Sequence, residues 1–326
     1  MDRKVSRRHV TRQLLGSVLT AGLFSSRFSA QETTKPQETT KKGKDSDFTL
    51  SVDVNLVLLH VSVQDEKGEL VKNLKKDEFA VFEDKVQQEL SLFKEEDVPV
   101  SIGLVIDNSG SMRTKRERVN RAALTFVRTS NPQDEIFLIN FNDQVFIDQD
   151  FTKNHDDLRD ALEGIDARGG TSLYDAIYLS LEHIREGKED KKALLLISDG
   201  EDRDSRYKYE TVLEFARESH ASIFVIGLFD KEGERSRAQK KAAKHLQELA
   251  EDTGGKYFFP ESVDEVEAIC TEVAREIRNQ YTLGYKPTNT RRDGTWRTVN
   301  VRLNSTKSAK KLVARTKRGY YAPTES

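Results

Sequence analysis

Val100-Ser101-Ile102-Gly103-Leu104-Val105-Ile106-Asp107-Asn108-Ser109-Gly110-Ser111 is the stretch on which the fold turns. Its first seven residues are apolar apart from Ser101 and Gly103, the pattern of a short strand buried on both faces. The run ends in turn-forming residues, and a helical pattern begins shortly after. Val119, Ala122, Ala123, Phe126 and Val127 fall on one helical face. Strand, polar loop and amphipathic helix together make one unit of an α/β fold.

Working outward, the same unit recurs. Ile136–Phe141, Ala193–Ile197 and Ile223–Leu228 are further apolar runs, and Lys256–Phe259 is a short fifth. Val145–Phe151 alternates instead, as an edge strand does. Between them lie amphipathic stretches through Ile177, Leu181 and Ile184, through Leu213–Ala216, Ala242–Leu249 and Val266–Ile277. This alternation predicts that 98–279 is a doubly wound, mostly parallel sheet with helices on both faces. In such sheets ligands gather at the carboxyl ends of the strands.

The flanks carry a different period. Val57, Leu59, Val61 and Val63 alternate with more polar neighbours, and Phe79–Phe82 and Val86–Phe93 are two further strand candidates. After 279, Tyr281, Leu283 and Tyr285 alternate, followed by Val299, Val301 and Leu303 and by Leu312–Ala314. Neither 48–97 nor 280–322 is long enough for a comfortable core of its own. The two are expected to pair into one small β-rich unit with the α/β domain inserted between them; two independent subdomains are the competing arrangement.

The amino terminus reads as an address. Arg3, Lys4, Arg7, Arg8 and Arg12 precede an uncharged stretch from Leu14 to Phe24 and a small-residue region ending at Ala30, the layout of a secretory signal over 1–30. Ser6-Arg7-Arg8 resembles a twin-arginine signal, and Phe28 sits where a small residue is preferred before a cut. The apolar stretch is short for a bilayer span, so no stable membrane span is expected once the signal is removed. Residues 31–47 hold the direct repeat Gln-Glu-Thr-Thr-Lys and no large apolar side chain, and are read as a disordered linker. The expected location is therefore the periplasm or the extracellular space.

Composition excludes several functions. Of 326 residues, 53 are Lys or Arg and 55 are Asp or Glu, a formal charge of −2. That balance lacks the basic excess of a nucleic-acid binder. The single cysteine, Cys270, rules out an internal disulfide and any Cys-based zinc site, and is expected in a helix core. His9, His60, His155, His183, His220 and His245 are scattered without ligand spacing.

Chemistry concentrates in three loops. Asp107, Ser109 and Ser111 follow the first core strand, Thr171 lies in Gly169-Gly170-Thr171-Ser172, and Asp199 follows the strand Ala193–Ile197. Two carboxylates and three hydroxyls are hard oxygen donors suited to Mg²⁺ or Mn²⁺, which keep several waters and need no full protein cage. The bland alternative is that these residues only cap helices and form turns. Asp175, Glu201, Asp202 and Asp204 lie nearby in sequence and are read as loop and helix-start acids, with tuning of the site as the rival reading.

At these residues the sequence resembles the von Willebrand factor type A family and its metal-ion-dependent adhesion site. The resemblance covers about 98–279 and matches at Asp107, Ser109, Ser111, Thr171 and Asp199. It implies that the serines and the threonine ligate a divalent cation directly or through water, and that the aspartates do so depending on state. Thr253-Gly254-Gly255-Lys256-Tyr257-Phe258 is similar to the run into the family's last core strand. The flanks, with Tyr281–Tyr285 and Arg318-Gly319-Tyr320-Tyr321, resemble an exported bacterial subgroup known from acidobacteria. The function implied is a non-enzymatic adhesion module whose cation captures an acidic side chain of a protein partner. A metal-assisted hydrolase is the rival, but no Gly-x-Ser-x-Gly or His-Glu-x-x-His motif and no phosphate loop supports it. An envelope-complex scaffold that binds independently of metal is the third reading.

Overall fold

A computed structural model describes residues 56–95, 97–163, 167–200, 202–231, 233–304 and 311–325. The signal and linker expected over 1–47 lie outside the described residues, as does Glu201.

The decisive stretch forms a strand, Val100–Asp107, with every residue buried. It lies in a six-stranded sheet between Glu135–Phe141 on one side and Lys191–Ser198 on the other, parallel to both. Ala221–Gly227 and the short Tyr257–Phe258 extend the parallel part. Val145–Thr152 closes the opposite edge, as its alternation predicted, and runs antiparallel to its neighbour.

The two polar breaks in the apolar run have separate causes. Ser101 Oγ donates to Glu135 Oε1 at 2.7 Å and accepts the Glu189 amide at 3.1 Å, fastening the sheet's lower rim. Gly103 makes room for its neighbours: a Cβ there would lie 2.3 Å from Phe137 Cζ and 2.5 Å from Leu194 Cδ2.

Among the described residues, six α-helices cover the sheet. Arg116–Thr129 (α1), His155–Glu163 (α2) and Val266–Arg278 (α6) pack one face, and Leu173–His183 (α3), Tyr209–Glu218 (α4) and Arg237–Thr253 (α5) the other. The chain leaves the central strand into α1 on one face and leaves Lys191–Ser198 toward α4 on the other. A crevice therefore opens between the carboxyl ends of these neighbouring strands, the topological switch point where open α/β sheets place ligands.

The flanks build two four-stranded sheets, each mixing both ends of the chain. One orders Val313–Arg315, Val57–Gln64, Tyr281–Tyr285 and Leu90–Glu95; the other orders Gly319–Tyr321, Trp296–Leu303, Phe79–Glu83 and Val86–Gln88. Leu59, Val61 and Leu283 from the first sheet meet Phe79, Val81 and Val301 from the second in one apolar core. The expected single strand Val86–Phe93 is divided at Glu89, and its halves belong to different sheets. A buried polar network lies inside this unit. Glu83 accepts from Tyr285 Oη at 2.8 Å and Tyr320 Oη at 2.7 Å and pairs with Arg297 at 3.4 Å.

Polar contacts also join the β-unit to the α/β domain. Glu276 of α6, fully buried, accepts Ser62 Oγ at 3.0 Å and pairs with Arg315. Asp252 at the end of α5 pairs with Arg217 at 2.8 Å and Arg318 at 3.0 Å. His60, on the strand Val57–Gln64, belongs to the same region. Burial pushes its imidazole from 6.5 down to about 3, with repulsion from Lys191, Lys317 and His220 adding to the effect. Above pH 6.5 the ring is neutral folded or unfolded. Between about 6.5 and 3 only the unfolded chain takes the proton, so stability is lost as pH falls through that window. A His60→Gln variant should show a shallower loss between pH 6.5 and 5, by up to about 1.4 kcal/mol per pH unit. Parallel urea unfolding curves for the two proteins would measure it, and identical slopes would contradict the assignment.

Candidate functional site

The five residues singled out in the sequence come together at the crevice. Asp107 is the last residue of the central strand and is fully buried. The loop after it turns through a 3₁₀ segment, Gly110–Thr114, before α1 starts, which leaves Ser109 and Ser111 at the strand end with their hydroxyls 3.0 Å apart. Ser111 Oγ donates to Asp199 Oδ1 at 2.8 Å. Thr171 arrives from the loop before α3. A methyl placed on Gly200 would lie 2.9 Å from Thr171 Cγ2 and 3.0 Å from Asp107 Oδ2, so three loops meet over one α-carbon.

The hydroxyls are not consumed by capping. Ser109 and Ser172 occupy N-cap positions yet neither makes a side-chain cap hydrogen bond. Ser109 instead turns its Oγ to Ser111, and its amide donates to Asp107 Oδ1 at 2.8 Å. The second Asp107 oxygen accepts Ser198 Oγ at 2.6 Å. Burial pushes the Asp107 carboxyl up to about 6, and the nearby Asp199 charge pushes the same way, against the hydrogen bonds from Ser109 and Ser198. This carboxylate is thus held in place while lacking a basic partner, an arrangement that a cation would relieve.

Two carboxylates and three hydroxyls around a pocket of about 320 Å³ fit a small hard cation by donor chemistry. Ser109, Ser111, Thr171 and Asp199 line that pocket directly, with Asp107 beneath them.

The neighbouring acids have a mechanical task that their reading as loop acids did not contain. Asp204 Oδ2 accepts the Thr171 amide at 2.9 Å, and the Thr171 carbonyl accepts the Arg203 amide at 2.9 Å. Asp202 accepts the Tyr174 amide at 3.2 Å, and Asp175 accepts the Arg206 and Tyr207 amides at 2.8 and 3.0 Å. Segment 202–207 is therefore laced to the start of α3 and fixes the position of Thr171. Cys270 is fully buried and its thiol is pushed up to about 12 by burial, which keeps it inert.

Sequence reasoning missed one residue of the site. Lys115, at the N-cap of α1, places Nζ 2.5 Å from Asp199 Oδ2 and 3.1 Å from the Leu228 carbonyl oxygen. Its signal was present: four residues after Ser111, at the first turn of a helix that begins on the site. Arg203, Asp230 and Gln239 complete the pocket rim.

Comparison with known proteins places this region. Residues 102–201 match the family model for the von Willebrand factor type A domain. An uncharacterized protein of Synechocystis sp. is 29% identical over 141 residues, 41% of this chain and 33% of that protein. Inter-alpha-trypsin inhibitor heavy chain H4 of Bos taurus is 24% identical over 170 residues, 48% of this chain and 17% of that protein. The chain thus spans about a third or less of the length of these curated relatives. Among solved structures, von Willebrand factor type A from Catenulispora acidiphila aligns with a TM-score of 0.48 at 11% identity, covering 76% of this chain and 74% of that one. The stretch matched by the family model begins in the central strand and ends just past Asp199-Gly200, so all five site residues fall inside it and the α/β domain that carries them has a von Willebrand factor type A-like fold.

Proposed function

We propose that this protein is an exported binding module in which Asp107, Ser109, Ser111, Thr171 and Asp199 hold Mg²⁺ or Mn²⁺, and that the cation captures an acidic side chain of a protein partner. The observation that carries the reading is the convergence of these oxygen donors on one pocket at the switch point of the sheet. When bound, the cation supplies a directional positive charge at the protein surface. The chain's own residues do the rest: Asp107 is pinned by Ser198 and the Ser109 amide, Thr171 is fixed by the 202–207 loop, and the pocket stays open on the solvent side.

A binding role is favoured over hydrolysis because catalysis needs a positioned acid or base. The sequence offers Glu201 as a weak candidate base beside the site and carries no Gly-x-Ser-x-Gly or His-Glu-x-x-His motif. Export follows from the signal-like amino terminus, and among the described residues no helix is long and apolar enough to cross a membrane. The resemblance of Val57–Asp65, Tyr281–Tyr285 and Arg318–Tyr321 to the exported bacterial subgroup points the same way.

The test is calorimetric titration of the protein from Gln31 onward with Mn²⁺ and then Mg²⁺. One equivalent of cation should bind, and the two metals should compete. No uptake of either ion at millimolar concentration would refute the cation reading.

A further inference from the structure

Of the two carboxylates in the site, only one has a basic partner. Asp199 receives Lys115 Nζ on one oxygen and Ser111 Oγ on the other, and its side chain is 4% exposed. Asp107 receives the Ser109 and Ser198 hydroxyls and the Ser109 amide, and no cationic side chain among the described residues. Lys115 is itself tied down by the Leu228 carbonyl at the end of the next strand, and its side chain is 30% exposed, so the ammonium is a fixed part of the pocket wall.

We propose that Lys115 sets the charge of the site: it occupies Asp199 against a divalent cation, weakening metal binding, and thereby leaves the metal-loaded site with a net positive charge that draws in an anionic group. The inference rests on the cation reading above. Formal charges decide the direction. On the pocket floor Asp107 and Asp199 contribute −2 and Lys115 +1, while Arg203 and Asp230 on the rim cancel, so the site without metal carries −1. A divalent ion brings it to +1, and a single carboxylate from a partner then neutralises it. Were Lys115 uncharged, the metal alone would bring the site to zero, the ion would meet no neighbouring ammonium, and the pull on an incoming anion would be weaker. Lys115 thus trades affinity for the metal against affinity for an acidic ligand, and makes the loaded site incomplete until that ligand arrives. This assigns to one residue the preference for a carboxylate-bearing partner over a neutral one.

The experiment compares wild type, Lys115→Met and Lys115→Gln. The glutamine keeps a hydrogen-bond donor within reach of Asp199 and Leu228 while removing the charge, so it separates charge from tethering. Mn²⁺ alone is titrated by calorimetry at low ionic strength. Acetate is then titrated onto the Mn²⁺-saturated proteins, followed by water-proton relaxation as acetate displaces metal-bound water. Both variants should bind Mn²⁺ about tenfold more tightly than wild type and acetate several-fold more weakly. Wild-type binding of Mn²⁺ with unchanged or weaker binding in both variants overturns the proposal and leaves Lys115 as a structural tether. Tighter Mn²⁺ with unchanged acetate overturns the claim on the anion. Absence of Mn²⁺ binding in all three proteins removes the cation reading itself, and this inference with it.

Discussion

Asp107→Ala should abolish Mn²⁺ binding outright and leave the far-UV circular dichroism unchanged. The residue ends the central strand, beneath the hydroxyls that line the pocket, and its carboxylate has no basic partner among the described residues. The expected loss exceeds the roughly 10- to 100-fold that removing an outer-shell partner costs a metal site. Asp107→Asn sharpens the test, since the amide keeps its oxygen for the Ser109 N–H while deleting the charge. Burial raises the Asp107 carboxyl from 3.8 to about 6, so ionised Asp107 strains the folded protein at pH 7. With the site free of metal, Asp107→Asn should therefore be the more stable protein, by up to about 3 kcal/mol. Saturating Mn²⁺ should reverse the order, because only wild type gains the linkage free energy of binding. Melting both proteins in chelator and in excess Mn²⁺ would reveal the crossing; curves that keep their order in both buffers would show that Asp107 carries no metal.

The largest loss of stability is expected from Arg297→Met. Arg297 is 1% exposed; it pairs with Glu83 at 3.4 Å, donates to the Arg291 carbonyl at 2.6 Å and reaches the Asn289 carbonyl as well. Without it, Glu83 is a buried carboxylate supported only by two tyrosine hydroxyls, and two loop carbonyls lose their donor. Breaking a buried pair from one side typically costs about 3–5 kcal/mol. Trp296, the only tryptophan, is the adjacent residue and its fluorescence reports this unit directly. Guanidinium titration should show the loss in the tryptophan signal, and replacing Glu83 by Leu in the same protein should restore part of it. A single-variant loss below about 1 kcal/mol would mean that the network carries little of the unit's stability.

The parts of the fold that could be read from sequence are those written in burial. The central strand, its parallel neighbours and the edge at Val145–Thr152 follow from apolar runs and one alternating run, because strands buried on both faces tolerate little else. The five oxygen donors were legible because strand ends and turn residues mark where the chain must open. Other features left weaker marks. Helix α2 offers only Leu158 and Leu162 to the core, too few for a period to stand out. The division of Val86–Phe93 at Glu89 is a change of sheet, and alternation continues across it without a turn signal. The strand Gly319–Tyr321 is three residues long. Lys115 escaped notice because a lysine at a helix start usually reads as a solvated charge, and only the approach of Asp199 across 84 positions makes it part of the site.

The weaving of both flanks into the same sheets also decides where tension goes. Val57–Gln64 hydrogen-bonds to Val313–Arg315 in register, Ser62 opposite Arg315, so strands from either side of the α/β domain are clasped before the chain enters it and after it leaves. Pulling on residues 57 and 321 loads that clasp, and with it the pairs from Arg315 to Glu276 and from Arg318 to Asp252 that tie the α/β domain to the loaded strands. Tension between the two flanks is therefore shared between the strand clasp and the ion pairs that hold the inserted domain against it.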